Sequence, residues 1–154
     1  MNIELTVNGR KRELVIEPGD MLVDTLRNAG YKEVKKGCDT GSCGVCTVLL
    51  NGFPLLSCST LSAKAEGGKI TTVKGIEKEA LQFAEHLTAQ GADQCGFCAP
   101  GFTLTVYAML QENTHPSPAE IRHYLAGNLC RCSGYESQMR AIESFVEAQN
   151  EHTV

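Results

Sequence analysis

The chemistry of this chain is carried by its eight cysteines, which fall into two sets of four. The upstream set has the spacing C-x4-C-x2-C-x11-C, and its first three members match the plant-type spacing for a 2Fe-2S cluster. Its members are Cys38, Cys43, Cys46 and Cys58. The downstream set is a C-x2-C pair followed, after 31 residues, by a C-x-C pair. Its members are Cys95, Cys98, Cys130 and Cys132. No cysteine is left over, so the sequence predicts two four-thiolate centres.

Glycines are interleaved with the upstream cysteines, at Gly37, Gly41 and Gly44. Glycine adopts positive φ without steric cost, so such a loop can bring backbone N–H groups close to sulfur atoms and stabilise the negative charge of a cluster. The first three cysteines therefore suit one compact loop. The return of Cys58 to the same site is a tertiary feature that spacing alone does not establish.

The downstream set is predicted to lie at the start of a helix. Pro100 follows Cys98 closely and favours the first turn, so the first cysteine pair would lie at the positive end of a helix dipole, where an anionic cluster is favoured. Cys130 and Cys132 would point about 200° apart in a helix but to the same side of an extended chain. We therefore expect this pair to be non-helical, with Arg131 facing away.

A structural zinc site is the main alternative for either set, since four cysteines and a C-x2-C pair also occur in zinc proteins. Zinc ribbons usually combine two short knuckles of the same C-x2-4-C kind. Neither set divides in that way. The spacing therefore favours iron and sulfide over zinc.

Composition limits the other classes of function. The formal charge is −4 and the 14 Lys and Arg residues are scattered, which argues against a nucleic-acid partner. No apolar run is long enough for a membrane span and the first residues lack a signal-peptide pattern, so we expect a cytoplasmic protein without membrane insertion. Eight cysteines in a reducing compartment are better explained as ligands than as disulfides. The chain shows no nucleophile beside a base and no phosphate loop, so no catalytic residue is assigned.

In the first 75 residues, apolar and polar residues alternate as they do in β-strands, except in one segment with helical spacing. Asn-Gly at residues 8–9 and 51–52 predicts two hairpins. A helix is expected from Met21 to Ala29, capped by Asp20 and stopped by Gly30. The predicted strands are residues 2–7, a run containing Leu14 and Ile16, and residues 47–50, 53–56 and 70–73. This order predicts a β-grasp domain over residues 1–75.

Helical spacing replaces the alternation after Gly75, which predicts a second domain over residues 76–150. Leu81, Ala84 and Leu87 form one apolar stripe, and helices are expected at residues 100–113 and 138–149. Ser117 and Glu120 have the spacing of a capping box that opens a short helix. Residues 151–154 are expected to be a frayed end. The predicted fold class is α+β, a β-grasp domain followed by a four-helix bundle.

Three motifs, in this order, resemble those of the small iron-sulfur subunit of the molybdenum hydroxylases, the xanthine dehydrogenase and aldehyde oxidoreductase family. They are Gly37-Cys-x4-Cys-Gly-x-Cys46, Gln94-Cys-Gly-Phe-Cys-x-Pro-Gly101 and Gly127-Asn-Leu-Cys-Arg-Cys-x-Gly-Tyr135. The resemblance extends from about residue 3 to residue 146. Ala99, Val45 and Ser133 are small departures from the family pattern, and the run Glu-Ser-Gln-Met at residues 136–139 is more polar than usual.

The resemblance implies a ferredoxin-like domain and a four-helix domain, each with a 2Fe-2S cluster. It implies a large partner subunit carrying the molybdenum-molybdopterin cofactor, a medium subunit carrying FAD, and a dimer of such heterotrimers. Gln94 would hydrogen-bond the molybdenum cofactor and Cys132 would lie against the pterin amino group. Electrons would pass from molybdenum through the second cluster and then the first, and we expect a purine or another N-heterocycle as substrate. An aldehyde-oxidising homologue, an independent two-cluster ferredoxin and a structural zinc module are the alternatives.

Overall fold

The structure is a computed structural model that describes residues 1–150 and the backbone of residue 151. The frayed end expected at residues 151–154 lies outside the described residues, apart from that backbone. The strands are β1 (Asn2–Val7), β2 (Arg10–Val15), β3 (Thr47–Leu50), β4 (Phe53–Leu56) and β5 (Lys69–Thr71). The helices are α1 (Leu22–Asn28), α2 (Glu77–Ala89), α3 (Ala99–Glu112), α4 (Pro118–Tyr124) and α5 (Glu136–Glu151). Strands thus precede helices, apart from α1, as expected for an α+β chain.

The described residues form a five-stranded mixed sheet in the order β2-β1-β5-β3-β4. Strand β1 pairs antiparallel with β2 and parallel with β5, and β3 lies antiparallel to both β5 and β4. The two predicted hairpins are confirmed. Their Asn-Gly turns have positive φ at both residues, 50° and 77° at Asn8 and Gly9 and 53° and 90° at Asn51 and Gly52. Such turns match the twist of the paired strands.

Helix α1 packs against this sheet, and its buried face is part of the first hydrophobic core. The sheet contributes Ile3, Leu5, Val7, Val48 and Ile70 to that core, and the helix contributes Leu22, Val23 and Leu26. The predicted cap was wrong. The residue before the helix is Met21, which makes no side-chain cap, because the Asp20 carboxylate instead accepts a hydrogen bond from the Glu17 N–H at 2.9 Å and closes the preceding turn.

The second half of the chain is helical, with a core of its own. Its buried members are Phe83, Leu87, Ala92, Phe102, Val106, Met109, Ile121, Met139, Ala141, Ile142 and Phe145. The predicted stripe on α2 was partly wrong, since Leu81 is 62 % exposed whereas Phe83 is buried against Phe102 and Phe145. The capping box at Ser117 and Glu120 is confirmed.

A third apolar cluster joins the two halves. Leu49 of β3 packs with Leu104 and Ala108 of α3 and with Ile76. Leu49 is the buried β3 residue of this cluster, whereas its neighbour Val48 belongs to the first core. The domain boundary at residue 75 stays a prediction. Among residues 1–151, no helix combines the length and the apolar character that a membrane crossing requires.

Candidate metal centres

The upstream cysteine loop runs between α1 and β3 with little regular structure. Gly41 and Gly44 have φ values of 67° and 75°, as the glycine-rich sequence predicts. The Cys43 thiol hydrogen-bonds the Cys38 sulfur, and the backbone N–H groups of Cys43, Ser42 and Thr40 also point at it, so the pKa of Cys38 is lowered to about 6. This loop thus favours a thiolate at Cys38.

Cys58 does return to the upstream loop. It lies in the 3-10 turn Ser57–Ser59 that follows β4, and its thiol is in hydrogen-bond contact with that of Cys46. The Ser57 hydroxyl donates to the Cys46 carbonyl at 2.6 Å and fixes the turn against the start of β3. Cys46 is only 2 % exposed, and burial raises its pKa to about 11. The upstream thiols therefore form two close pairs, Cys38 with Cys43 and Cys46 with Cys58.

The downstream cysteines are held by the start of α3 and by an irregular segment. Cys98 is the residue before α3 begins. Residues 128–133 form neither helix nor strand, as predicted, and Arg131 is exposed. The Cys132 Sγ lies 3.5 Å from the Cys95 Sγ, and the Cys98 and Cys130 thiols are in hydrogen-bond contact. This set also forms two close pairs, one exposed and one partly buried.

Hydrogen-bond donors surround the downstream sulfur atoms. The Ser133 hydroxyl and N–H donate to the Cys130 Sγ at 3.2 and 3.4 Å. Burial raises the pKa of Cys130, but these donors outweigh it and the net shift is downward. At Cys98 burial dominates and raises the pKa to about 11. The backbone N–H of Phe97 is the largest cause of the lowered pKa of Cys95.

The close pairing of the thiols helps to distinguish a zinc site from a 2Fe-2S site. A single tetrahedral zinc ion needs four sulfur atoms all about 3.8 Å from one another, whereas a 2Fe-2S cluster takes two thiolates on each iron. Thiol donors in close pairs, with N–H groups directed at them, fit a 2Fe-2S cluster at each set. The ligand assignment itself stays a prediction.

The two cysteine sites are in direct backbone contact. The Leu129 N–H, one residue before Cys130, donates to the Cys43 carbonyl at 2.9 Å. A Cβ added to Gly101 of α3 would lie 2.3 Å from the Gly44 carbonyl oxygen. No larger residue fits at Gly101 without displacing backbone, so glycine is required for this approach. The sequence predicted two sites but not that they would touch.

Lys35 reinforces this contact from the upstream side. Its Nζ lies 4.9 Å from the centre of the Phe97 ring, within the range of a cation–π interaction. The same amine donates to the Gly96 carbonyl at 3.4 Å. A residue of the first half thus binds the loop between Cys95 and Cys98.

The downstream site opens onto the protein surface. Cys95, Cys132 and the predicted cofactor contact Gln94 are exposed. Gln94 and all four downstream cysteines line one small cavity. Large apolar side chains also lie exposed in the same loops, with Phe97, Leu129 and Tyr135 at 45 %, 48 % and 44 %. Sequence reasoning assigned these three no role, although an apolar residue inside a ligand motif is a signal that could have found them.

One further residue of the site was missed. Gln138 of α5 lines the same cavity as the downstream cysteines, and its side-chain amide approaches the Cys98 sulfur. The available signal was its polarity, since it stands beside the apolar residues Met139, Ala141 and Ile142 that form the buried face of this helix.

Comparisons with known proteins agree with this arrangement. The family described as "2Fe-2S iron-sulfur cluster binding domain" matches residues 5–71, and the "[2Fe-2S] binding domain" family matches residues 72–143. The nicotinate dehydrogenase small FeS subunit of Eubacterium barkeri is 39 % identical over 150 residues, covering 96 % of each chain. The xanthine dehydrogenase iron-sulfur-binding subunit of Escherichia coli O157:H7 is 44 % identical over 146 residues, covering 92 % of each.

Among solved structures, a chain of quinoline 2-oxidoreductase from Pseudomonas putida 86 superimposes with a TM-score of 0.88 at 40 % identity. The match covers 100 % of this chain and 98 % of that one. Likeness of this extent, in sequence and in structure, covers both cysteine sites and the contact between them. The chain therefore belongs to the small iron-sulfur subunits of the molybdenum hydroxylase family, the xanthine dehydrogenase and aldehyde oxidoreductase family.

Proposed function

We propose that this chain is the electron-transfer subunit of a molybdenum-dependent hydroxylase. In this role it relays electrons from a molybdenum-molybdopterin centre on a large partner subunit to FAD on a medium subunit. The observation that carries the proposal is the backbone hydrogen bond from Leu129 to Cys43, which joins two four-cysteine sites within one chain. A 2Fe-2S cluster supplies one-electron redox chemistry. Two such sites in contact suit the stepwise removal of the two electrons released by hydroxylation of a substrate.

The proposed ligands of the first cluster are Cys38, Cys43, Cys46 and Cys58. Those of the second are Cys95, Cys98, Cys130 and Cys132. Their thiols lie in close pairs, as two irons with two thiolates each require. N–H groups at Cys38 and Cys95 favour the thiolate form at both sites, and ligation requires that form.

The second site is proposed to face the molybdenum cofactor. Its exposed pair, Cys95 and Cys132, can approach a group on another subunit, whereas Cys46 of the first site is buried. Gln94 is exposed beside this pair. Its amide can donate a hydrogen bond to a cofactor there or accept one from it. The apolar side chains Phe97 and Leu129 would become buried by a partner subunit, which favours such docking.

The proposed assembly is a dimer of heterotrimers in the cytoplasm, with one copy of this chain beside a large molybdenum subunit and a medium FAD subunit. Two relatives are named as small or iron-sulfur subunits of dehydrogenases, and this chain spans nearly their whole length. We place the assembly in the cytoplasm because a reducing compartment keeps cysteine ligands from forming disulfides.

We propose an N-heterocycle, such as a purine or a pyridine, as the substrate class. The printed names of several relatives specify nicotinate, nicotine, xanthine or caffeine. Others are named as aldehyde oxidoreductases or oxidases, and an aldehyde-oxidising enzyme is the second candidate. The substrate would be bound by the molybdenum subunit, so this chain contributes no specificity residue to it.

The test is purification of the native complex under anaerobic conditions, followed by addition of xanthine, nicotinate or an aldehyde. We expect stoichiometric molybdenum, two larger chains and reduction of both clusters, seen as two distinct EPR signals. A chain that purifies alone with iron and sulfide would instead be an independent ferredoxin. A colourless chain with zinc would be a structural module, and either result would overturn the proposed function.

A further inference from the structure

The buried residues of α5 include an amide side chain, Gln138, beside an apolar core. Met139, Ala141, Ile142 and Phe145 of this helix are all buried in the second hydrophobic core. Gln138 is also buried, with 5 % of its surface exposed. A buried amide without a hydrogen-bond partner costs roughly 1 to 3 kcal/mol, so its partner indicates what it does.

That partner is a sulfur atom. The Gln138 Nε2 donates to the Cys98 Sγ at 3.9 Å, and both residues line the small cavity that the other three downstream cysteines also line. Cys98 belongs to the partly buried pair of this site. A donor facing a sulfur atom away from bulk water acts on it more strongly than one on the surface would.

We propose that Gln138 sets the reduction potential of the second cluster by donating a hydrogen bond to the Cys98 thiolate. Adding one electron to a cluster makes its thiolates more negative, and a donor stabilises the more negative form. Gln138 therefore raises the potential of the second cluster relative to an otherwise identical site with an apolar residue at this position. The first cluster is not in contact with Gln138 and its potential does not depend on it.

This role of Gln138 rests on the proposed function, since it requires a 2Fe-2S cluster at the second site. It also bears on the direction of electron transfer between molybdenum and that cluster. If the second cluster is the first to take electrons from molybdenum, a higher potential there makes that transfer more favourable. The role of Gln138 is positioning and tuning, since it touches a ligand of the cluster and not the substrate.

The test is an anaerobic redox titration of the purified complex, followed by EPR, for the wild type and for Gln138→Leu. Leucine removes the donor and keeps a similar volume. We expect iron content unchanged, a lower midpoint potential for the second cluster and the same midpoint for the first. The matched control is Met139→Leu, which changes packing in the same helical turn without touching a donor and should shift neither potential.

Unchanged midpoints in Gln138→Leu, or an equal shift in Gln138→Leu and Met139→Leu, would overturn the inference. If leucine prevents assembly of the second cluster, hyperfine coupling of the reduced cluster to ¹⁵N-labelled glutamine side chains in Gln94→Ala, which removes the other glutamine of this cavity, is a measurement that keeps Gln138. Its absence would equally overturn the inference. A wild-type complex without a second 2Fe-2S signal would contradict the proposed function instead.

Discussion

The two cysteine sites have the same kind of donors but are built and exposed differently. At the upstream site, three backbone N–H groups of one glycine-rich loop point at Cys38, and Cys46 is buried. At the downstream site, Ser133 and Gln138 direct side-chain donors at Cys130 and Cys98. Its other two cysteines are exposed. Serine hydroxyls also lie beside the upstream sulfur atoms of Cys46 and Cys58. The downstream site adds a donor from a distant helix, Gln138, which substitution can remove without altering the cysteine loops.

The elements that support the sites differ as well. The downstream pair Cys95 and Cys98 precedes the 14-residue helix α3, whose N-terminal dipole favours negative charge. The upstream loop is fixed by the sheet, through β3 on one side and the turn at Cys58 on the other. One site thus depends on helix packing and the other on strand pairing, and they should respond to different perturbations.

The largest expected effect separates the two sites chemically. Cys98→Ser removes one ligand of the downstream cluster and should stop electron flow from substrate. Iron should fall from about four to about two atoms per chain while the upstream EPR signal persists. Metal analysis and EPR of the same sample check this. If both signals vanish together, the two sites do not assemble independently and the comparison fails.

The next effect acts on the contact between the sites. The Cβ of Gly101→Ala would meet the Gly44 carbonyl at 2.3 Å and the Val45 Cα at 3.0 Å. Overpacking against backbone atoms should destabilise the fold by about 2 kcal/mol, and it should weaken magnetic coupling between the clusters. Thermal unfolding and EPR measure the two quantities.

Gly127→Ala is the matched control for this contact, because a Cβ at Gly127 meets no atom within 4 Å. Its stability and EPR signals should stay close to those of the wild type. Equal effects of the two substitutions would show that the approach at Gly101 does not hold the sites together.

A smaller effect tests the exposed face of the downstream site. Gln94→Ala should retain all irons and slow reduction of the downstream cluster by substrate about tenfold, the effect of losing one hydrogen bond to a cofactor. Rapid-mixing spectroscopy of the complex measures that rate. Unchanged rates and unchanged molybdenum EPR signals would remove Gln94 from the site.

The smallest effect is local to the helical half. Ser117→Ala removes the N-cap of α4 and should lower the free energy of unfolding by about 1 kcal/mol.

The effect of this substitution should also depend on pH, because hydrogen bonds from Ser117 lower the pKa of Glu120. The contribution of this carboxylate is therefore complete above its unfolded pKa of about 4.3 and is lost as pH falls through the lower folded value. Denaturant titrations at neutral and acidic pH should show the difference between wild type and variant shrinking at acidic pH; a constant difference would contradict the linkage.

Local signals in the sequence predicted local structure well. The Asn-Gly turns, the Ser117 capping box and the helix start beside Cys98 depend on neighbouring residues, and the structure has all of them. The cap at Asp20 was wrong because two local hydrogen bonds competed for one carboxylate, and the turn to Glu17 prevailed.

Features that depend on tertiary packing were harder to predict from the sequence. The exposure of Leu81 and the burial of Phe83 are decided by where α5 packs against α2, which the spacing of apolar residues does not specify. The hydrogen bond from Leu129 to Cys43 joins residues 86 positions apart, and no motif encodes it. Gln138 meets Cys98 across two helices for the same reason.

The most direct test of two iron-sulfur sites in one chain is the iron, zinc and acid-labile sulfide content of anaerobically purified native protein. About four irons and four sulfides per chain with little zinc are predicted. About two zinc ions per chain and no sulfide would contradict the assignment, and the chain would then be a structural module rather than an electron relay.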